Sequence, residues 1–198
     1  MENKDLREKL IEAARRIDRR NLQTNNGGNF SARCDNDRML VKPSDVSFLE
    51  ATPEELVYAD FKGVALIKGL KPSKESVLHG LIYENFLQIG AIMHCHSPWA
   101  TAWAESILPL DFCTYHAGLK LGDCVPVFDT KSYAVPVEKA VTIIDELRNK
   151  YPETKAFILR RHGLVAMGRD VVEAVNIAEL VEETAMIAML SRMCRFNQ

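Results

Sequence analysis

Ile89-Gly90-Ala91-Ile92-Met93-His94-Cys95-His96 reads as a short apolar β-strand that ends in two histidines. Side chains alternate along a strand, so His94 and His96 share one face while Cys95 points to the other. A third histidine, in Arg161-His162-Gly163, sits between two further strand-like runs, Ala156–Arg160 and Leu164–Met167. Three imidazoles could hold a divalent metal with one position left for substrate or water. A His-x-His pair alone can also be two strand histidines with purely structural hydrogen bonds. His162, placed just before a glycine at a strand junction, weighs against that reading.

Outward from this stretch, the pattern alternates short strands and helices. Leu6, Leu10, Ile11, Ala14 and Ile17 mark an amphipathic helix over about 4–21. Strands are expected near 30–33, 39–42, 57–60 and 64–67. Ser73, after Pro72, reads as the N-cap of a helix to about Gln88, and Pro98 opens another to about Glu105. Leu108 to Tyr133 reads as short strands and loops. Pro136 starts a helix to about Lys150. Asp170 and Glu173 form a capping pair for a last helix to about Met193, apolar on more than one side and so suited to a core or to another subunit. Several strands lie too close together for helical crossovers. An α/β arrangement follows, with a largely antiparallel sheet carrying helices on its faces.

The chain has 198 residues, a formal net charge of −2 and 47% hydrophobic residues. That suits one domain over 1–198 and argues against nucleic acid or an anionic membrane as main partner. No apolar run reaches the roughly 20 residues of a membrane helix. The charged, helical N-terminus is not that of a secretory signal. Five cysteines without a Cys-x-x-Cys pair read as reduced thiols of a cytoplasmic protein.

Three junctions carry the small polar residues of an anion cradle: Asn26-Gly27-Gly28-Asn29, Lys42-Pro43-Ser44-Asp45 and Lys71-Pro72-Ser73-Lys74-Glu75. Each alone is an ordinary turn; together they could hold a phosphate. Glu75 falls in an expected first helical turn, where carboxylates are common, and His79 four residues on could orient it. A base there would need partial desolvation, since a helix dipole by itself lowers a carboxylate pKa. His116 has no ligand-like spacing.

Gly28-Asn29-Phe30-Ser31-Ala32-Arg33, Lys71-Pro72-Ser73-Lys74-Glu75, His94-Cys95-His96 and His162-Gly163-Leu164-Val165-Ala166-Met167-Gly168 occur in the order and spacing of the class II aldolase/adducin-head family, which this chain resembles over nearly its whole length. The resemblance implies a three-layer α/β/α sandwich around a mainly antiparallel sheet, assembled as a homotetramer with sites between subunits. It implies His94, His96 and His162 as ligands of zinc, with manganese or cobalt as alternatives. Glu75 matches the acid/base carboxylate. Asn29, Ser44 and Ser73 match phosphate-gripping positions, with Asn26, Gly28 and Lys74 lining the same pocket. Tyr115 resembles a tyrosine supplied by a neighbouring subunit as proton donor.

The implied activity is zinc-dependent cleavage of a ketose 1-phosphate to dihydroxyacetone phosphate and an aldehyde, with the metal stabilising an enediolate. A 4-epimerase, dehydratase or decarboxylase on the same scaffold, and a non-catalytic adducin-like domain, are the alternatives. Two positions depart from the family's aldolases: Asp45 stands for a usual glycine and Lys74 for a second serine. A carboxylate about 4 Å from a phosphate would cost roughly 4 kcal/mol per charge pair at an effective dielectric of 20, which Lys74 or Lys42 could offset. The chain also ends soon after the last helix, without the tyrosine-bearing extension of some family aldolases, so site closure is expected to differ.

Overall fold

A computed structural model describes residues 2–35, 37–122 and 124–195, the last without its side chain. The secondary structure runs α1 (Lys4–Arg19), β1 (Asn29–Arg33), β2 (Arg38–Val41), β3 (Val57–Asp60), α2 (Ser76–Asn85), β4 (Ala91–Cys95), α3 (Pro98–Trp103), α4 (Tyr115–Leu121), β5 (Val127–Phe128), α5 (Val137–Lys150), β6 (Ala156–Leu159), β7 (Gly163–Gly168) and α6 (Val171–Arg195). The strands form one sheet in the order β3-β2-β1-β4-β7-β6-β5. Every pairing is antiparallel except β5 with β6. Helices cover both faces, as expected of the three-layer sandwich.

Strand alternation divides the core in two. Ala91, Met93 and Cys95 of β4, with Leu164 and Ala166 of β7, join the apolar faces of α1, α3, α4 and α6. Ile92, Val165 and Met167 face the other way, into the layer built by α2 and α5. Cys95 therefore lies on the α6 side. A one-residue slip of β4 would turn His94 away from its partners, and burial on both faces forbids it.

The ends of α6 and α2 contrast in how far local signals decide them. Asp170 Oδ1 accepts from Glu173 N at 2.8 Å, and Glu173 reaches back to Arg169 N at 2.8 Å, so the expected capping pair opens α6. Helix α2 begins at Ser76, with Glu75 rather than Ser73 in the N-cap position. The reason is tertiary: Ser73 N donates to Lys42 O and Ser44 N to Lys71 O. Segment 71–73 is thus drawn out alongside 42–44 before the helix can start.

Two other expectations are corrected. Residues 64–67 form no regular strand. Gly63, at φ +78°, folds them back on the edge of β3 through a single bridge, Ala59 to Ala65, and Val64 and Ile67 face outward. The stretch 108–133 contains helix α4, capped by Thr114 Oγ1 accepting from Ala117 N at 3.2 Å and ended by Gly122 at φ +88°. With only Ala117 and Leu121 buried, α4 has too little apolar periodicity to stand out in the sequence.

Candidate metal centre and active-site pocket

His94 is the next-to-last residue of β4, paired with Asn29 of β1 on one side and Val165 of β7 on the other. His96 lies just beyond the strand, and His162 in the turn between β6 and β7. That turn holds Arg161 at φ +55° and brings Gly163 against Cys95 O and the His96 ring, where a Cβ would come within 2.5 and 3.0 Å. The three imidazole centroids are 4.7–5.2 Å apart. One ring nitrogen from each falls within 4.8 Å of the others.

Proton placement explains the chemistry of this cluster. His94 Nδ1 donates to Leu164 O at 2.9 Å, because a carbonyl can only accept. Burial pushes the His94 pKa down to about 4, beyond what Glu75 restores, and burial also lowers His96. Neutral His94 then presents a bare Nε2, 3.2 Å from His162 Nε2 and 3.1 Å from Glu75 Oε2. A carboxylate oxygen beside an unprotonated ring nitrogen is a pairing that a cation would stabilise. Two nitrogens bound at about 2.0–2.1 Å to a tetrahedral ion lie about 3.3 Å apart, which the His94–His162 spacing of 3.2 Å matches. Asn29 Oδ1, Glu75 Oε1 and His162 Nδ1 are buried there without a hydrogen-bond partner, as expected where a bound group completes the set.

Glu75 is buried, its Oε2 accepting from Asn29 Nδ2 at 3.0 Å. Burial alone would raise its pKa; positive charge at His94 and His162, with the Asn29 hydrogen bond, pulls it below the ordinary carboxylate value. His79 does not orient Glu75 through a hydrogen bond, contrary to expectation. Its Nδ1 sits 2.8 Å from Ser31 Oγ, which also meets Tyr83 OH at 2.7 Å, tying α2 to β1. Complete burial pushes His79 down to about 3, so it is a neutral packing group.

Beside the cluster opens a cavity of about 290 Å³, lined by Asn26, Gly28, Asn29, Ser44, Asp45, Ser73, Lys74, Glu75, His96 and His162. All the residues singled out in the three loops therefore converge on the histidines. Tyr133, which the sequence reading passed over, closes one side, with the Lys74 ammonium 6.0 Å from its ring centroid. It follows a Lys-Ser turn rather than any recognisable motif. Lys42 also lines the cavity but is buried, with Nζ donating to Pro43 O and Val46 O, so it braces the loop that carries Ser44 and Asp45. Burial lowers its pKa to about 8, against the opposing pull of Asp45. Asp45 adopts φ +63°, a left-handed conformation that glycine takes without strain.

Tyr115 is fully exposed at the start of α4 and is not part of this cavity. A larger groove of about 910 Å³ runs along α6 past Trp99 and His116, but none of the three clustered histidines lines it. Glu75, His96 and His162 thus face the smaller cavity.

The family described as Class II Aldolase and Adducin N-terminal domain matches residues 8–189. The chain belongs to this family. Among relatives of this class II aldolase-family protein, an L-ribulose-5-phosphate 4-epimerase UlaF of Salmonella paratyphi C (strain RKS4594) is 30% identical over 195 residues, 94% of this chain and 85% of the relative. The solved L-fuculose-1-phosphate aldolase from Thermus thermophilus aligns with TM-score 0.85 at 26% identity, over 98% of this chain and 97% of that one. YgbL of Escherichia coli, for which aldolase, epimerase and decarboxylase are all left open, aligns with TM-score 0.80 at 28% identity, over 94% and 89% of the two chains. Class II aldolases are metal-dependent, and a three-histidine cluster that could hold a metal ion is present here.

Proposed function

We propose that this chain is a metal-dependent aldehyde-lyase that reversibly cleaves a ketose 1-phosphate into dihydroxyacetone phosphate and an aldehyde. The observation that carries the reading is buried Glu75, which lines a polar cavity, set 3.1 Å from a bare nitrogen of His94. His94, His96 and His162 would hold the ion, with zinc favoured by the all-imidazole set and manganese or cobalt as alternatives. Such an ion supplies a Lewis acid for the negative charge that develops when the bond beside a ketone breaks.

The rest falls to the chain's own groups. Asn29 occupies Oε2 of Glu75, which leaves Oε1 as the oxygen free to take a proton from the donor fragment and return it. Its lowered pKa keeps it ionised at neutral pH, ready as a base. Asn26, Gly28, Asn29, Ser73 and Lys74 offer hydrogen bonds and charge to a phosphate in the cavity, and Ser44, whose hydroxyl donates to Pro72 O, would join them by turning that hydroxyl. Tyr115, exposed and remote in its own chain, would serve as proton donor in a neighbouring subunit's site within a homotetramer. The setting we infer is cytoplasmic, with the thiols of the five cysteines reduced.

A second reading, sugar-phosphate 4-epimerisation, is favoured by the relative that is 30% identical. Both reactions develop the same enediolate-like charge and differ in whether the aldehyde leaves. Metal analysis of the purified protein, followed by product analysis on ketose 1-phosphates and ketose 5-phosphates, separates them. Release of aldehyde and dihydroxyacetone phosphate supports the aldolase, and an epimer without fragments supports the second reading. A protein without bound metal, or one indifferent to His94→Ala, would sink both.

A further inference from the structure

We propose that Gln23 is a positioning residue that couples the anion-binding loop to the metal ligand His96. The inference rests on the three-histidine cluster being a metal site. His94 is fixed twice, by its place inside the β4 ladder and by its bond to Leu164 O. His96 lies past the end of that ladder, and its main-chain N–H is held instead by a side chain: it donates to Gln23 Oε1 at 2.8 Å. The same carboxamide donates through Nε2 to Thr24 O, inside the loop that leads to Asn26 and Gly28. Gln23 is 2% exposed, so neither bond is traded freely with water.

The two glycines of the loop close around this carboxamide. A Cβ on Gly28, at φ +62°, would meet Gln23 Oε1 at 2.4 Å and His94 O at 2.7 Å. A Cβ on Gly27 would meet the His96 ring at 2.8 Å. Loop, carboxamide and imidazole are therefore in contact with no slack between them. An anion that orders the loop also fixes Gln23, and through it the direction of His96. By linkage, anion and metal each raise the other's affinity by the same factor.

Cobalt(II) binding, read from its visible spectrum with and without inorganic phosphate, tests this. In the wild type, phosphate should tighten cobalt binding and alter the spectrum. Gln23→Ala should weaken cobalt binding about tenfold, the usual scale for losing a group that orients a ligand, and abolish the phosphate effect. Gln23→Glu retains the acceptor for His96 N but not the donor to Thr24 O. It should bind cobalt nearly as the wild type does while losing the phosphate effect. Should Gln23→Ala fail to fold by circular dichroism, Gln23→Glu decides alone: a retained phosphate effect overturns the proposal. A folded Gln23→Ala protein with wild-type cobalt affinity and phosphate response overturns it too, while leaving the metal site intact. A wild type that binds metal without responding to phosphate removes the coupling, and one that binds no metal removes both the coupling and the metal reading.

Discussion

Glu75 Oε2 stands 3.1 Å from Nε2 of His94, and no proton is available to bridge them, because the His94 proton is committed to Leu164 O on the ring's far side. A carboxylate and a lone pair held this close repel unless a cation joins them. Chelation of the metal should therefore destabilise the protein as well as silence it. Thermal unfolding with and without a chelator checks this, with recovery of both stability and turnover when a divalent ion is returned. A transition temperature that does not respond would contradict the arrangement.

Replacing Glu75 by Gln keeps shape and polarity while removing the proposed base. Turnover should fall by about 10²–10⁴, the range for a positioned acid/base group. Metal content, measured by elemental analysis, should stay near one ion per chain, since the three histidines remain. Loss of the metal along with activity would instead assign Glu75 to binding.

Asp45 lines the cavity, in a left-handed conformation, beside the residues proposed to hold the phosphate. In Asp45→Gly the backbone strain disappears and one negative charge leaves. Affinity for inorganic phosphate should rise several-fold, and stability should rise by up to about 1 kcal/mol. A titration showing weaker phosphate binding in the variant would mean that Asp45 supports the anion indirectly, through Lys42.

Glu173 has its pKa held at about 2: burial works to raise it, but Arg169 and Lys155 prevail. The folded value lies below the ordinary 4.5, so its stabilisation is complete above pH 4.5 and is lost as pH falls towards 2. Glu173→Gln should cost about 1–2 kcal/mol at neutral pH. Denaturant curves should show the gap between wild type and variant shrinking as pH drops through that window. A gap independent of pH would point to packing rather than charge.

Gly80 marks the closest approach of α2 to the end of β3, where a Cβ would come within 1.7 Å of Phe61 O. Gly80→Ala must push the helix away or distort the strand end, at a cost of about 3 kcal/mol or more. Since α2 carries Glu75 at its N-terminus, any folded variant should also turn over more slowly. Unchanged melting would refute the contact.

Much of this molecule was readable from local pattern. Alternation placed His94 opposite Cys95, and the capping pair at Asp170 and Glu173 opened α6 where expected. Helix α4 and the start of α2 were not readable in this way. The first buries only two residues, and the second is delayed by backbone bonds to residues some 30 positions earlier. The apolar run 64–67 looked like a strand but has no face to bury, so it lies along the sheet edge.

Residue types and their spacing single out the three histidines and the three polar loops as candidates, while the roles given to the histidines and to Glu75 came from the family resemblance of whole motifs rather than from periodicity. They cannot say that Asn29 rather than His79 holds Glu75, that Lys42 turns inward, that Tyr133 walls the cavity or that Gln23 grips His96. Those relationships join residues from 46 to 73 positions apart, or depend on which way a loop packs. They are decided only when the sheet closes its register and leaves each buried polar atom a single partner within reach.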